Sequence, residues 1–177
     1  DSAIYKTSGS TSTLTLAADR NILVNADISG AAGHALNLVL AARAGGGAAG
    51  HVGISRSTIR TYGGDVTIGG GNAAASDYAI VAGTNQYGQK AGVGVFSGSL
   101  IDASSDGAGT ATTASNSTGG GNIVLRGKGD SNTYQSNWGV WLQNGALSTG
   151  GSGNITVTGY GGQGQVFWSV GSIGVLL

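Results

Sequence analysis

The sequence predicts an all-β chain wound as a solenoid of about five short rungs, with insertions at two corners. Three observations lead there. Helix formers are scarce: the chain has no Glu and no Met, Lys occurs only as Lys6, Lys90 and Lys128, and Gly accounts for 36 of 177 residues. Short alternating aliphatic triplets recur along the chain. A second aliphatic pair recurs between them, and a coil that cannot bury its apolar face alone buries it by stacking.

The triplets are "LTL" (14–16), "LNL" (36–38), "VTI" (66–68), "IVL" (123–125) and "ITV" (155–157). In a strand, positions i and i+2 share a face, so the outer aliphatics point inward and Thr15, Asn37, Thr67, Val124 and Thr156 point out. The second figure is an apolar residue followed five positions later by Ile or Leu. It pairs Leu23 with Ile28, Ile54 with Ile59, Val95 with Leu100, Leu142 with Leu147, and Trp168 with Ile173. An odd spacing puts partners on opposite faces of a straight strand, so burying both requires a corner between them. The intervening residues, such as "SRST" and "QNGA", tolerate bends. Ile28, Ile59, Leu100, Leu147 and Ile173 are therefore expected to form one core ladder.

The long insertions fall at about 69–92 and 103–120. The first carries an extra strand, "YAIVAG", and the second is small, polar and loop-like. Residues 1–177 read as a single β-helical domain or segment. Five rungs give an axial length of roughly 20–25 Å, short for a free-standing solenoid. Neither end carries a capping helix, and the chain closes on the apolar "VGSIGVLL". End-to-end self-association, or continuation into more of the same repeat, is the expected consequence.

The eight basic residues balance the eight acidic ones, which removes the field that would draw nucleic acid or an anionic membrane. No run of 18 apolar residues is present to insert into a bilayer. The chain has no Cys, hence no disulfide or thiolate metal site.

The stretches "TLTLAADRNILVNADISG", "ALNLVLAARAGG", "GGDVTIGGGN" and "GSGNITVTGYGG" resemble the shaft repeats of filamentous-haemagglutinin-like bacterial adhesins, secreted by the two-partner route. The resemblance covers about residues 11–68 and 119–176. It implies a right-handed parallel β-helix, secretion to the bacterial cell surface, and adhesion to a host or surface glycan or protein. That family's secretion domain carries an Asn-Pro-Asn-Gly type motif, and this chain has no Pro, so secretion-domain function does not carry over. The shaft repeats bring no catalytic residue.

Gly45, Gly47 and Gly50 match G-x-G-x-x-G, and so do Gly159, Gly161 and Gly164. A dinucleotide fingerprint needs a helix after its last glycine. The chain instead continues "HVGISRSTIRTYGGDVTIGG", with no 3.6-residue stripe, so these glycines read as corner residues with positive φ. His34 and His51, the only histidines, read as exposed corner residues rather than metal ligands. No cofactor, metal or catalytic set is expected.

Because β-helices include polysaccharide-binding and polysaccharide-cleaving proteins, that alternative is kept. Cleavage would require three of Asp102, Asp106, Asp65, Arg60 and Lys90 to converge in one cleft. For glycan contact the candidates are Trp138, Trp141 and Tyr134, set among Asn137, Gln143 and Asn144. Odd spacing allows at most one of the two indoles to be buried on a straight strand. Packing in a wider coil is the competing role for them.

Overall fold

The computed structural model describes residues 2–81, 91–130, 137–162, 173 and 175–176. Among these residues there is no helix, and every strand pairing within the sheets is parallel. Three sheets share the chain in rotation. The first contains β2 (Ser12–Ala18), β5 (Leu36–Ala42), β8 (Val66–Gly70), β12 (Ile123–Lys128) and β15 (Ile155–Tyr160). The second contains β3 (Ile22–Val24), β6 (Val52–Ser55), β10 (Ala91–Phe96), β13 (Trp138–Gln143) and β16 (Val175–Leu176). The third contains β1 (Ile4–Tyr5), β4 (Ile28–Ser29), β7 (Thr58–Arg60), β11 (Leu100–Asp102) and β14 (Ala146–Ser148). Each pass through the three adds one strand beside its predecessor. The exception, β9 (Ala79–Ile80), lies within the first insertion and pairs with Gly127 and Lys128 at the end of β12.

Register explains why the triplets recur. Leu14, Leu38, Val66, Ile123 and Ile155 stand in one column, and Leu16, Leu40, Ile68, Leu125 and Val157 in the next. The equivalent of "LTL" is thus Leu38-Val39-Leu40, two residues beyond "LNL"; Asn37 faces outward in register with Thr13. Inward columns from the second sheet (Ile22, Val52, Val93, Val140, Val175) meet them in one continuous aliphatic core.

The expected core ladder needs correction at two places. Ile28, Ile59, Ile101 and Leu147 are in line, with Ile4 ahead of them. Leu100 is displaced by one, pairing with Thr58 and Ala146. Ile173 belongs elsewhere: its carbonyl accepts the N–H of Gly139 in β13, beside the second sheet. Likewise Leu23 is 39% exposed, and Val24 takes the buried place above Ile54.

The cause is corner length. The aliphatics flanking the corner lie four residues apart in the first pass (Val24, Ile28), then five (Ile54, Ile59), six (Val95, Ile101) and five (Leu142, Leu147). The longer corners turn through Arg56, Ser97 and Asn144, all left-handed (φ 53, 57 and 53°), and the longest adds Gly98 at φ 80°. A constant spacing of five cannot describe them. Trp168, paired with Ile173 in the sequence reading, lies outside the described residues.

A polar ladder marks the corner before the first sheet. Asp65 N–H donates to Asn37 Oδ1 (2.9 Å), Asn122 N–H to Asp65 Oδ1 (2.7 Å) and Asn154 N–H to Asn122 Oδ1 (3.1 Å). Each Asx side chain thereby satisfies a backbone donor of the next pass that the strands do not reach. Gly64, Gly121 and Gly153 precede the last three of these residues. A Cβ on any of them would fall within 2.3 Å of the carbonyl oxygen one pass below. "Gly-Asx-aliphatic" is therefore a structural motif of this corner.

Candidate functional site

Among the described residues, Asp65, Asp102 and Asp106 do not form one cleft. Asp102, at the end of β11, is fully buried. Its carboxylate accepts the N–H of Ser104 (3.1 Å) and of Gly109 (2.9 Å), with Arg60 Nε 3.9 Å away. This carboxylate fastens the 103–120 insertion onto the third sheet. Asp106 lies further out on that insertion, where the Ser115 hydroxyl and the Ala108 N–H hold it below the usual carboxylate range. Asp65 belongs to the corner ladder, and Asp77 pairs with Arg43 at 3.1 Å. Lys90 lies outside the described residues. Among the four of these groups that are described, only Asp102 and Arg60 meet, and Asp102 spends its oxygens on the backbone.

Neither histidine behaves as an exposed corner residue. His34 is half-buried, with Nδ1 2.7 Å from the Gly9 carbonyl oxygen. His51 is buried, and neither ring nitrogen has a hydrogen-bond partner. Desolvation therefore lowers its pKa from the ordinary value of 6.5. Among the described residues no three His or Asp side chains group as metal ligands do.

Gly50 leads into strand β6, not a helix, and positive φ falls on Gly46 and Arg43 instead of Gly45, Gly47 or Gly50. Close approach accounts for Gly50: a Cβ there would lie 2.2 Å from the Arg20 carbonyl oxygen. In the second match Gly159 lies in β15, and Gly164 is outside the described residues.

Trp138 and Trp141 are both half-buried, and their ring centroids are 4.2 Å apart at a 49° tilt. Phe96 meets Trp141 edge-on at 5.5 Å. Alternation along a straight strand does not predict this contact between residues three apart on β13. Each indole gives one face to its neighbour. Beneath Phe96 the strand carries Gly94, where a Cβ would lie 2.0 Å from the ring. Tyr134 lies outside the described residues.

The sequence reading did not single out the outer face where β9, β12 and β15 adjoin. Arg126 and Lys128 alternate outward on β12, in register with Thr158 and Tyr160 on β15. Tyr160 is 54% exposed, and its ring meets Tyr78 edge-on at 5.2 Å. The Arg126 guanidinium lies over Tyr78, with Cζ 5.7 Å from the ring centroid, and Nη1 donates to the Tyr78 hydroxyl at 3.4 Å. Hydrogen bonding with Tyr78 raises the Tyr160 phenol above its ordinary value. Among the described residues, Arg43 and Arg60 have carboxylate partners, whereas Arg126 and Lys128 have none. The available sequence signal was "IVLRGK" aligned on "ITVTGY", which the triplet alignment brings together once it is extended by three residues.

No protein-family model, no curated protein and no solved structure matches this chain.

Proposed function

We propose that the chain is a right-handed parallel β-helix of about five rungs, serving as a structural and adhesive module of a secreted bacterial cell-surface protein. In this reading it resembles the shaft of filamentous-haemagglutinin-like adhesins and carries no catalysis. The observation that supports it best is the rotation of one chain through three parallel sheets around a single aliphatic core. Such a stack resists extension because its ladder hydrogen bonds run along the axis, while corner insertions present variable residues to a partner. The edge strands β2 and β3 at one end and β15 at the other suit further rungs, supplied by continuation of the chain or by another copy.

The test is attachment. Beads coated with the chain should be retained under flow on surfaces bearing host-cell glycans or proteins, well above albumin-coated beads. Retention equal to albumin on every surface would refute the adhesive role. Release of reducing sugar from a polysaccharide by the purified chain would refute the non-enzymatic one.

A further inference from the structure

We propose that the outer face formed by β9, β12 and β15 binds an acidic saccharide, stacking a sugar ring on Tyr160 and pairing its carboxylate with Arg126 and Lys128. This deepens the reading of the chain as an adhesive module by naming a ligand class and the residues that meet it.

Geometry leads the reasoning. Neighbouring strands are about 4.8 Å apart and outward residues on one strand about 6.7 Å apart, so Arg126, Lys128, Thr158 and Tyr160 tile a patch about one sugar ring across. Tyr160 offers an open aromatic face, and Tyr78, edge-on behind it, holds that ring in place. The guanidinium of Arg126 is oriented by its stacking on Tyr78 and by the bond to the Tyr78 hydroxyl. Arg126 Nε is buried with no hydrogen-bond partner. A planar fork held this way matches a carboxylate, and Lys128 adds a second, freely placed charge. Thr158 contributes a hydroxyl for a ring oxygen.

The charge balance narrows the class further. The chain is neutral overall, so it lacks the many phosphate contacts that sustain nucleic-acid binding. Two local cations beside an exposed ring suit a short ligand with one anionic group and one apolar face. A uronic sugar has both.

The experiment titrates the full 177-residue chain with trigalacturonate, followed by amide chemical shifts, at low and high salt. Maltotriose, triglutamate and a sulfated glucose trimer are the comparison probes. Shifts centred on residues 126–128 and 158–160, weakened by salt, are expected with trigalacturonate. Lys128→Ala and Tyr160→Ala should each weaken binding about tenfold or more; both side chains are exposed, and unchanged spectra elsewhere will verify the fold. Absence of shifts, or variants that bind as the parent does, would overturn the site. Triglutamate binding as tightly would overturn the saccharide class, tight maltotriose binding its acidic character, and tighter sulfated trimer the carboxylate. Each of these outcomes is separable from the bead experiment, since other surfaces of the module can mediate retention.

Discussion

Replacing Gly121 by Ala tests the stacking of one pass on another at a single carbon atom. The added Cβ would lie 2.1 Å from the carbonyl oxygen of Gly64, roughly 1 Å inside the closest approach such atoms make. Neither side can yield cheaply. Gly121 N–H is bonded to the Ala103 carbonyl at 2.8 Å, and Asn122 is held to Asp65 on the pass below. Relief requires separating two passes where the corner ladder binds them, so the cost should reach about 3 kcal/mol, the upper range for overpacking. Gly47→Ala is the matched control. Its Cβ would approach nothing nearer than 3.4 Å, and its φ is not positive, so Ala there should be neutral or stabilising by up to about 1 kcal/mol. Urea unfolding followed by dichroism measures both, with the midpoint falling for Gly121→Ala and holding or rising for Gly47→Ala. Equal midpoints for the two variants would refute the stacking of Gly121 over Gly64.

Ile59 is fully buried between Ile28 and Ile101, so Ile59→Ala should cost about 3–4 kcal/mol, and Leu23→Ala, at an exposed position, about 1 kcal/mol. The same urea midpoints would check this. Asp102→Asn should destabilise by about 2–4 kcal/mol, because an amide cannot accept from two N–H groups while facing Arg60 as a carboxylate does. Limited proteolysis should then cut within 103–120 before it cuts the parent chain. His51 has a folded pKa below its unfolded value of 6.5, so the unfolded chain takes up the proton first. Its contribution to stability is complete above about pH 7.5 and declines as pH falls through 6.5 toward the lowered folded value. His51→Gln should flatten that part of the pH profile, as read from thermal midpoints at pH 5 to 8.

Much of the fold was legible in the sequence because strand alternation is a local property. The columns through Leu14, Val66, Ile123 and Ile155 appear as triplets whose outer residues are all aliphatic. Corner length is not a local property. Val24 and Leu23 are both apolar, as are Leu100 and Ile101, and the length of the corner, four residues from Val24 to Ile28 and six from Val95 to Ile101 through the left-handed Ser97 and Gly98, decides which of each pair joins the inward column. Asp102 misled for a related reason. Its burial depends on an insertion folding back over the third sheet, which no periodicity encodes. The Arg126–Tyr160 patch was missed because Tyr78 reaches it from an insertion 48 residues away in sequence from Arg126. The aromatic cluster at Trp138 and Trp141 drew attention by density, although its rings chiefly meet one another.

The measurement that bears most directly on the winding is the distance between spin labels at Thr15 and Thr156. The chain has no Cys of its own, so Thr15→Cys and Thr156→Cys can be labelled cleanly. Both residues face outward on the first sheet, four strand steps apart through β5, β8 and β12. At about 4.8 Å per step the backbone separation is roughly 19 Å, and electron–electron dipolar spectroscopy should return a single narrow distribution near that value, broadened by the label arms. A distribution centred well beyond 30 Å, or several unrelated peaks, would contradict the stacked winding of this chain.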